Sequence, residues 1–269
     1  MPFESITRLK LRGSISELAG DNYGTGTATS GSTTTLVDTN GIHAPSNDDY
    51  KGVWAYINEG AAVGRESFCS ASVASSSTLT LVTGTAINAT SEYELHRRWR
   101  VRQWNDSIDR ALRASRAMQT NPIQDRTLVV STEGTREYPL PDGIHTIHEI
   151  SYLPSGDTTL NEVFVPFEDW EVSIGSTGAI TRLLRFNGGV LPANDSTIVL
   201  RGTEFPSVPT SDSSILQINV ELITLHVLWQ YAVRFKDRLS AARARDDYNL
   251  LLSETSSQVP GNSRIVETV

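Results

Sequence analysis

Cysteine is almost missing from this chain of 269 residues, in which Cys69 stands alone. A single cysteine excludes an intrachain disulfide framework and a zinc site of the Cys-x-x-Cys kind. Runs of about 18 apolar residues, the length that crosses a membrane, are also missing. Residues 1–6 lack the basic start and the apolar stretch of a signal peptide. We therefore expect a soluble protein that folds in a reducing compartment and contacts no membrane.

Charged and hydrophobic residues are both scarce, at 20% and 38% of the chain, which is below the average of globular proteins. Glycine, serine and threonine take their place, as is typical of proteins with many turns and short strands. Five Trp, eight Tyr and seven Phe nevertheless require a buried core, so the composition argues against a disordered chain. The formal net charge of −8 is opposite in sign to that of a protein that binds duplex DNA broadly.

The common enzyme motifs are missing as well: there is no phosphate-binding loop, no Gly-x-Gly-x-x-Gly, no His-Glu-x-x-His and no Gly-x-Ser-x-Gly. His145, His148 and Glu149 form the only close histidine cluster, but positions three apart in a strand face opposite sides. Adjacent acidic residues are normally solvated, and they occur at Asp48-Asp49, Glu168-Asp169 and Asp246-Asp247. We expect no catalytic residue, no cofactor and no metal site, and so no enzyme.

The chain alternates between helical and β-type segments. Short β-rich runs separated by turn residues fill two regions, and apolar residues at three- and four-residue spacing fill the others. The sequence predicts an α+β fold, in which a helical bundle stem carries two inserted antiparallel β modules. The predicted segments are an N-terminal helical segment at 1–20, a Gly/Thr/Ser-rich β module at 21–95, a central helix at 96–122, a second β module at 123–210, a long C-terminal helix at 211–254 and a tail at 255–269. A flexible linker is the alternative interpretation of the Gly/Thr/Ser-rich stretch.

Arginine is concentrated in residues 97–116. Seven of the 23 basic residues but only two of the 31 acidic residues fall there, so this segment carries +5 and the remainder of the chain −13. An amphipathic helix with an ordinary solvated face is one interpretation. A docking face for an acidic protein surface or for phosphate is the other, because the guanidinium group forms paired hydrogen bonds with both. The candidate interface residues here are Arg97, Arg98, Arg100, Arg102, Arg110, Arg113 and Arg116.

Residues 211–254 carry two adjacent apolar stripes, too wide an arc for one packing partner. As a single helix from residue 212 to 254 they would extend about 60 Å, at about 1.5 Å per residue. We expect the first stripe to pack inside the chain's own bundle. The second stripe, with Val220, Val227 and Tyr231, is predicted to contact a neighbouring subunit.

Three segments follow one another in a recognisable order. A basic helix, Trp104-Asn-Asp-Ser-Ile-Asp-Arg-Ala-Leu-Arg113, precedes Thr132-Glu-Gly-Thr-Arg-Glu-Tyr-Pro-Leu-Pro141 and the run at 144–152, and the long late helix follows. In this order they resemble the head-to-tail adaptor (connector) proteins of tailed bacteriophages. The resemblance covers about residues 97–254. The β module at 21–95 departs from the simplest members, which are nearly all helical.

The resemblance implies a non-enzymatic structural protein of the virion neck, assembled in the host cytoplasm. Such proteins form a ring of identical subunits, usually twelve, that joins the portal protein to the downstream tail or nozzle protein. Double-stranded DNA passes through the ring without sequence-specific binding. The net negative charge of the chain is compatible with this role, because like charge repels phosphate.

The tail at 255–269 has no hydrophobic period, but Arg264, Ile265 and Val266 offer a charged donor and an apolar pair. With the resemblance, this predicts a segment that becomes ordered on the portal or on an adjacent subunit. A trailing end without a role is the alternative.

Three other functions stay open. Another neck or tail component, such as a tail terminator, nozzle or collar, would share the β modules but have a longer sheet and fewer long helices. A carbohydrate-binding module would use exposed aromatic residues such as Trp54 and Trp170. A glycan hydrolase would need two carboxylates facing one cleft.

Overall fold

The computed structural model shows a β-rich protein, with 17 strands and four α-helices in the part of the chain that it describes. That part comprises residues 4–82, 84, 86–115, 121–130, 135–141, 143–154, 162–175, 181–187, 195–256 and 264–265. The predicted helical bundle stem is wrong. The largest assembly is a seven-stranded antiparallel sheet, accompanied by three smaller sheets, and short helices pack beside it.

The described chain begins with a strand, β1 (Glu4–Thr7), and a helix, α1 (Arg8–Leu18). Thr7 starts the helix because its Oγ1 accepts a hydrogen bond from the Lys10 amide at 3.3 Å, the usual role of threonine at an N-cap. Residues 4–7, assigned to a helical segment from the sequence, are therefore extended.

The seven-stranded sheet follows α1 and has the order β2-β8-β5-β6-β7-β4-β3. Its strands are β2 (Asn22–Thr27), β3 (Ser30–Gly31), β4 (Thr35–Val37), β5 (Trp54–Glu59), β6 (Glu66–Val73), β7 (Thr78–Leu81) and β8 (Glu92–His96). Its two ends, β2 and β3, are consecutive along the chain: Ala28 N–H bonds to Ser91 beside β8, and Thr29 N–H bonds to Val37 of β4. One extended segment thus joins both ends, and the sheet closes into a small barrel.

Alternating side chains fill the interior of this barrel. Leu36, Ile57, Leu79 and Tyr93 are buried there, as the two-residue period of a half-buried strand requires. Cys69 lies in the same core, and burial raises the pKa of its thiol to about 11, so it is a small hydrophobic residue rather than a nucleophile.

Helix α2 (Val101–Ala114) leads from the barrel into a second β region. The helix predicted at 96–122 is too long at both ends, because His96 is the last residue of a strand and Asn121 and Pro122 begin the next one. This region contains β9 (Asn121–Val130), β10 (Glu137–Pro139), β11 (Ile144–Leu153), β12 (Val163–Val165), β13 (Trp170–Gly175), β14 (Thr181–Phe186) and β15 (Thr197–Glu204). They form two sheets, β12-β11-β15-β9 and β10-β14-β13. Side chains from both sheets share one core, including Trp170, Phe186 and Ile198.

The region predicted as one long helix is divided into three elements. These are strand β16 (Ile215–Ile218), helix α3 (Val220–Arg234) and helix α4 (Arg238–Ser256), and the described chain ends with a two-residue strand, β17 (Arg264–Ile265). Strand β16 pairs with β1. Lys236 has a φ of 58°, a left-handed conformation that interrupts a helix, so the chain turns back there. Leu222 near the start of α3 accordingly packs with Leu251 near the end of α4.

Helices α1, α2 and α3 pack around their own core beside the barrel. Leu11 and Ile15 of α1 join Trp104 and Ile108 of α2 and Val227 of α3. The face of α2 that the sequence predicts is the face that is buried, since its apolar residues recur at three- and four-residue spacing.

Candidate interaction surface

A buried charged cluster joins the barrel to the helices. Arg12 of α1 has no exposed surface, and its five N–H groups all donate hydrogen bonds. They bind both carboxylate oxygens of Glu94 on β8 (2.5 and 3.0 Å), both of Asp212 (2.8 and 3.0 Å) and Oδ1 of Asn105 on α2 (2.9 Å). The hydroxyl of Tyr56 on β5 also donates to Asp212, at 2.9 Å. Two strands, two helices and the segment before β16 therefore meet at one guanidinium group.

The pKa values in this cluster show which charge states the fold selects. Burial acts to raise the pKa of Glu94, but hydrogen bonds from His96 and Arg12 outweigh it, so the pKa lies below its ordinary value. The same competition, won by Arg12 and Tyr56, lowers the pKa of Asp212. Burial acts to lower the pKa of Arg12, but both carboxylates raise it further. All three groups are therefore held in their charged forms.

A second buried carboxylate, Asp21, fixes the start of the arginine-rich segment. Asp21 is fully buried and accepts hydrogen bonds from the Arg98 amide (2.8 Å), the Trp99 amide (3.2 Å), Trp104 Nε1 (3.2 Å) and the Tyr231 hydroxyl (3.2 Å). A carboxylate with several donors is a strong and specific anchor. It sets the path of the chain from β8 into α2 and connects that path to α3.

The N-terminus of α2 is held from the barrel side as well. The Val101 amide donates a hydrogen bond to Oε1 of Glu66 on β6 at 2.5 Å. The negative charge of a carboxylate at a helix N-terminus also interacts favourably with the helix dipole. Burial raises the pKa of Glu66, and the Val101 amide opposes that rise. The arginine-rich segment is thus held at a fixed place between barrel and helices.

Six arginine side chains of this segment, all within the described residues, are exposed. We use the name arginine surface for the exposed residues Arg97, Arg98, Arg100, Arg102, Arg110 and Arg113. Within the described residues none of the six forms an ion pair. In a chain with net charge −8, this is a concentrated positive patch, in which Glu66 and Asp109 offset part of the charge of Arg100 and Arg113 without forming ion pairs.

Three of these arginines are held in place by aromatic rings. The guanidinium carbon lies 4.3 Å from the ring centroid of Tyr23 for Arg97, 5.0 Å from that of Phe235 for Arg98, and 3.8 Å from that of Trp54 for Arg100. Such stacking restricts the side chain but leaves its N–H groups free to donate. Less side-chain entropy is then lost when a partner binds.

An open groove of about 670 Å³ lies between α2 and α3, next to the arginine surface. Arg110 and Arg234 stand on its sides, and Trp99, His226 and Trp229 line it. Burial, together with the charge of Arg110, lowers the pKa of His226. The groove thus offers aromatic surface flanked by two arginines and by the carboxylate of Asp106.

The other candidate interface residues are placed differently from the prediction. Val227 is fully buried and Tyr231 is 8% exposed, both inside the core of α1, α2 and α3, which leaves them no surface for a neighbouring subunit. Val220 is half-buried against the same core. Arg264 and Ile265 pair through their backbone with β11 of the same chain. Arg116 and Val266 lie outside the described residues.

Sequence reasoning missed the buried charges that position this surface. Arg12, Asp21, Glu94 and Asp212 are separated by up to 200 residues, and each is unremarkable in its local sequence. The alternation of β8 gave no signal for Glu94. With Tyr93 and Leu95 facing inward, a two-residue period places Glu94 on the outer face, and it is buried there only because Arg12 of α1 covers it.

No protein-family model matches this sequence, and no curated protein matches it at a significant level. None of the helices in the described ranges is both long and apolar enough to cross a membrane. The function is therefore inferred from the surface described above.

Proposed function

We propose that this chain is a structural subunit of a tailed-bacteriophage particle, a head-to-tail adaptor that forms a ring between the portal and the tail around the DNA channel. The observation that carries the proposal is the arginine surface: six exposed cations that form no ion pair with any described residue, on a segment fixed by the carboxylates of Asp21 and Glu66. A helix face that is only solvated would not need to be anchored in this way. A docking face benefits from the anchoring, because a fixed geometry lowers the entropic cost of binding.

Exposed apolar side chains on the helices add to this support. Large hydrophobic residues are exposed on α1, α3 and α4: Leu18 by 69%, Val233 by 55%, Leu239 by 64% and Leu250 by 62%. Single exposed residues of this kind are ordinary. Two of them lie beside the arginine surface, because Val233 lines the groove with Arg110 and Leu18 lines a second pocket with Arg98. An apolar centre together with arginine is the usual make-up of an interface.

The charge of the chain fits a position around DNA. Outside residues 97–116 the chain carries −13, and like charge keeps phosphate from adhering to a channel wall. The proposal therefore assigns the arginine surface to protein contacts. The DNA would pass acidic parts of the subunit.

A second candidate, another neck or tail component such as a tail terminator, nozzle or collar, is favoured by one specific observation. The fold contains a seven-stranded sheet, and the longest helix in the described residues has only 19 residues. A carbohydrate-binding module has less support, because Trp170 is 1% exposed and Trp54 is covered by Arg100.

The test is native mass spectrometry of the purified chain, alone and mixed with the portal protein and the tail proteins of the same genome. An adaptor should bind the portal as a ring, whereas a tail component should bind only the tail protein. A variant with Arg97, Arg98, Arg100 and Arg102 changed to Ser should bind more weakly and with less dependence on salt. Binding to neither partner would refute both candidates.

A further inference from the structure

The end of the barrel opposite the arginine surface carries an unusual acidic pair. Glu59 of β5 and Glu92 of β8 are direct cross-strand partners, and both are exposed. Like charges at such positions destabilise a sheet. Neither carboxylate forms an ion pair within the described ranges, so the chain carries this repulsion without compensating for it.

A groove of about 320 Å³ opens beside this pair, between α1 and the barrel. Glu92 lines it together with Asn58, whose side-chain oxygen accepts no hydrogen bond from the described part of the chain. Leu9 and Gly13 of α1 form the other wall. A ligand that suits an apolar wall beside a carboxylate has a long apolar stem and a cationic head, as arginine does.

The acidic pair Glu59 and Glu92 cannot form ion pairs with the arginine surface of the same chain. Glu92 is the first residue of β8, and Arg97 directly follows its last residue. Five steps along a strand cover about 17 Å, at about 3.3 Å per residue, far beyond the reach of an ion pair. Arg97 and Arg100 stack on Tyr23 and Trp54, which are residues of the barrel. The barrel thus has a basic end and an acidic end.

We infer that the acidic end of one copy, Glu59 and Glu92 with the adjoining groove, binds the arginine surface of a second copy through Arg97 and Arg100. This inference rests on the proposed function, because it specifies the subunit contact of the ring. A second copy is the partner that carries complementary charge in equal number, two exposed carboxylates for two preorganised guanidinium groups. The contact is head-to-tail, which closes into a ring when the rotation between subunits permits.

Charge reversal at each end tests the inference. One variant carries Glu59→Lys and Glu92→Lys, and the other carries Arg97→Glu and Arg100→Glu. All four side chains are exposed, so both variants should fold, as circular dichroism and thermal unfolding would show. Each alone has two ends of the same sign, and its self-association should weaken by about tenfold or more in sedimentation and native mass spectrometry.

Mixing the two variants in equal amounts provides the decisive result. Each basic end then meets an acidic end on the other variant, so assemblies that alternate the two chains should form again. The matched control carries Glu4→Lys and Glu17→Lys, two exposed acids that do not line the groove, and should assemble like the wild type. The association of the wild type should weaken with added salt.

Three results would overturn the inference: a wild-type chain that stays monomeric at its solubility limit and low salt, reversal variants that assemble normally, or a mixture that is not rescued. The arginine surface would then serve another partner. If the Arg97→Glu, Arg100→Glu variant loses portal binding but keeps self-association, the inference fails and the proposed function stands. If the mixture is rescued but no portal or tail protein binds, the inference stands and the proposed function fails.

Discussion

Arg12 and the arginine surface lie close together, since Arg12 binds Glu94, three positions before Arg97. Their surroundings differ in almost every respect. Arg12 is fully buried, and all of its donors are bonded to Glu94, Asp212 and Asn105. The arginine surface is exposed and forms no ion pair within the described residues. The same side chain thus holds the barrel to the helices in one place and stays available to a partner in the other. Its surroundings, rather than its chemistry, decide which role it has.

The largest effect is expected from Arg12→Met, which removes the buried cation and leaves two carboxylates facing each other. Breaking a buried ion pair by removing one partner costs about 3–5 kcal/mol. We expect the free energy of unfolding in urea to fall by this amount. A chain with Arg12→Met that is as stable as the wild type would show that the cluster contributes nothing to the junction.

Acid should weaken the same junction. In the folded protein, Glu94 and Asp212 have pKa values below their ordinary 4.5 and 3.8. Their contribution to the free energy of unfolding is therefore complete above the ordinary pKa values, and it is lost as the pH falls through the folded pKa values. Each such group adds a slope of up to about 1.4 kcal/mol per pH unit in that window. The raised pKa of Glu66 acts in the opposite direction. Glu94→Gln should flatten the acid limb of a stability–pH profile, and an unchanged limb would contradict this account.

A smaller loss is expected from Tyr231→Phe. This change removes one of the four hydrogen bonds donated to Asp21 but keeps the ring, which stacks on Trp104 at 5.1 Å. A single hydrogen bond of this kind is worth about 1 kcal/mol. Chemical denaturation should show that loss. Tyr138→Phe, which removes the hydrogen bond from the Tyr138 hydroxyl to the Thr135 carbonyl, provides a comparison within the second β region.

The smallest effect on stability is expected from Arg102→Gln on the arginine surface. Exposed substitutions away from specific contacts usually change stability by less than about 0.5 kcal/mol. Thermal unfolding should therefore be unchanged, while binding and its salt dependence decrease. A large loss of stability would place Arg102 with Arg12 and remove the contrast between the two sets.

Local signals in the sequence identify elements but not their connections. The spacing of Trp104, Ile108 and Ala111 predicts the buried face of α2, because such a face repeats every three to four residues, but not the bounds of the helix, which was predicted at 96–122 and spans Val101–Ala114. The predicted single helix at 211–254 is wrong, because periodicity does not report the left-handed backbone at Lys236, where no glycine or proline marks a break. One signal was available there. Asp237 accepts hydrogen bonds from the amide and hydroxyl of Ser240, which is typical of a helix start.

For the arginine surface, too, the sequence predicts the local features but not the contacts between distant residues. The charge count along residues 97–116 locates the arginines without any structure, and α2 presents its later arginines outward by its period alone. The stacking on Tyr23, Trp54 and Phe235 joins residues up to 137 positions apart, and the anchoring at Asp21 joins residues up to 210 positions apart. Tertiary contacts between distant segments have no periodic trace in a sequence.

The turn at Lys236 has a consequence for the effective concentration of the chain that follows α4. Seven residues separate Ser256 from Arg264, and eight extended steps span at most about 29 Å. An uninterrupted helix from Val220 would have placed Ser256 about 55 Å from its start, whereas the folded-back α4 ends near Leu222. A segment that is joined to its binding site by few residues is held there at a high local concentration. The pairing of Arg264 and Ile265 with β11 therefore has a high effective concentration, which a competing strand from another protein would have to exceed.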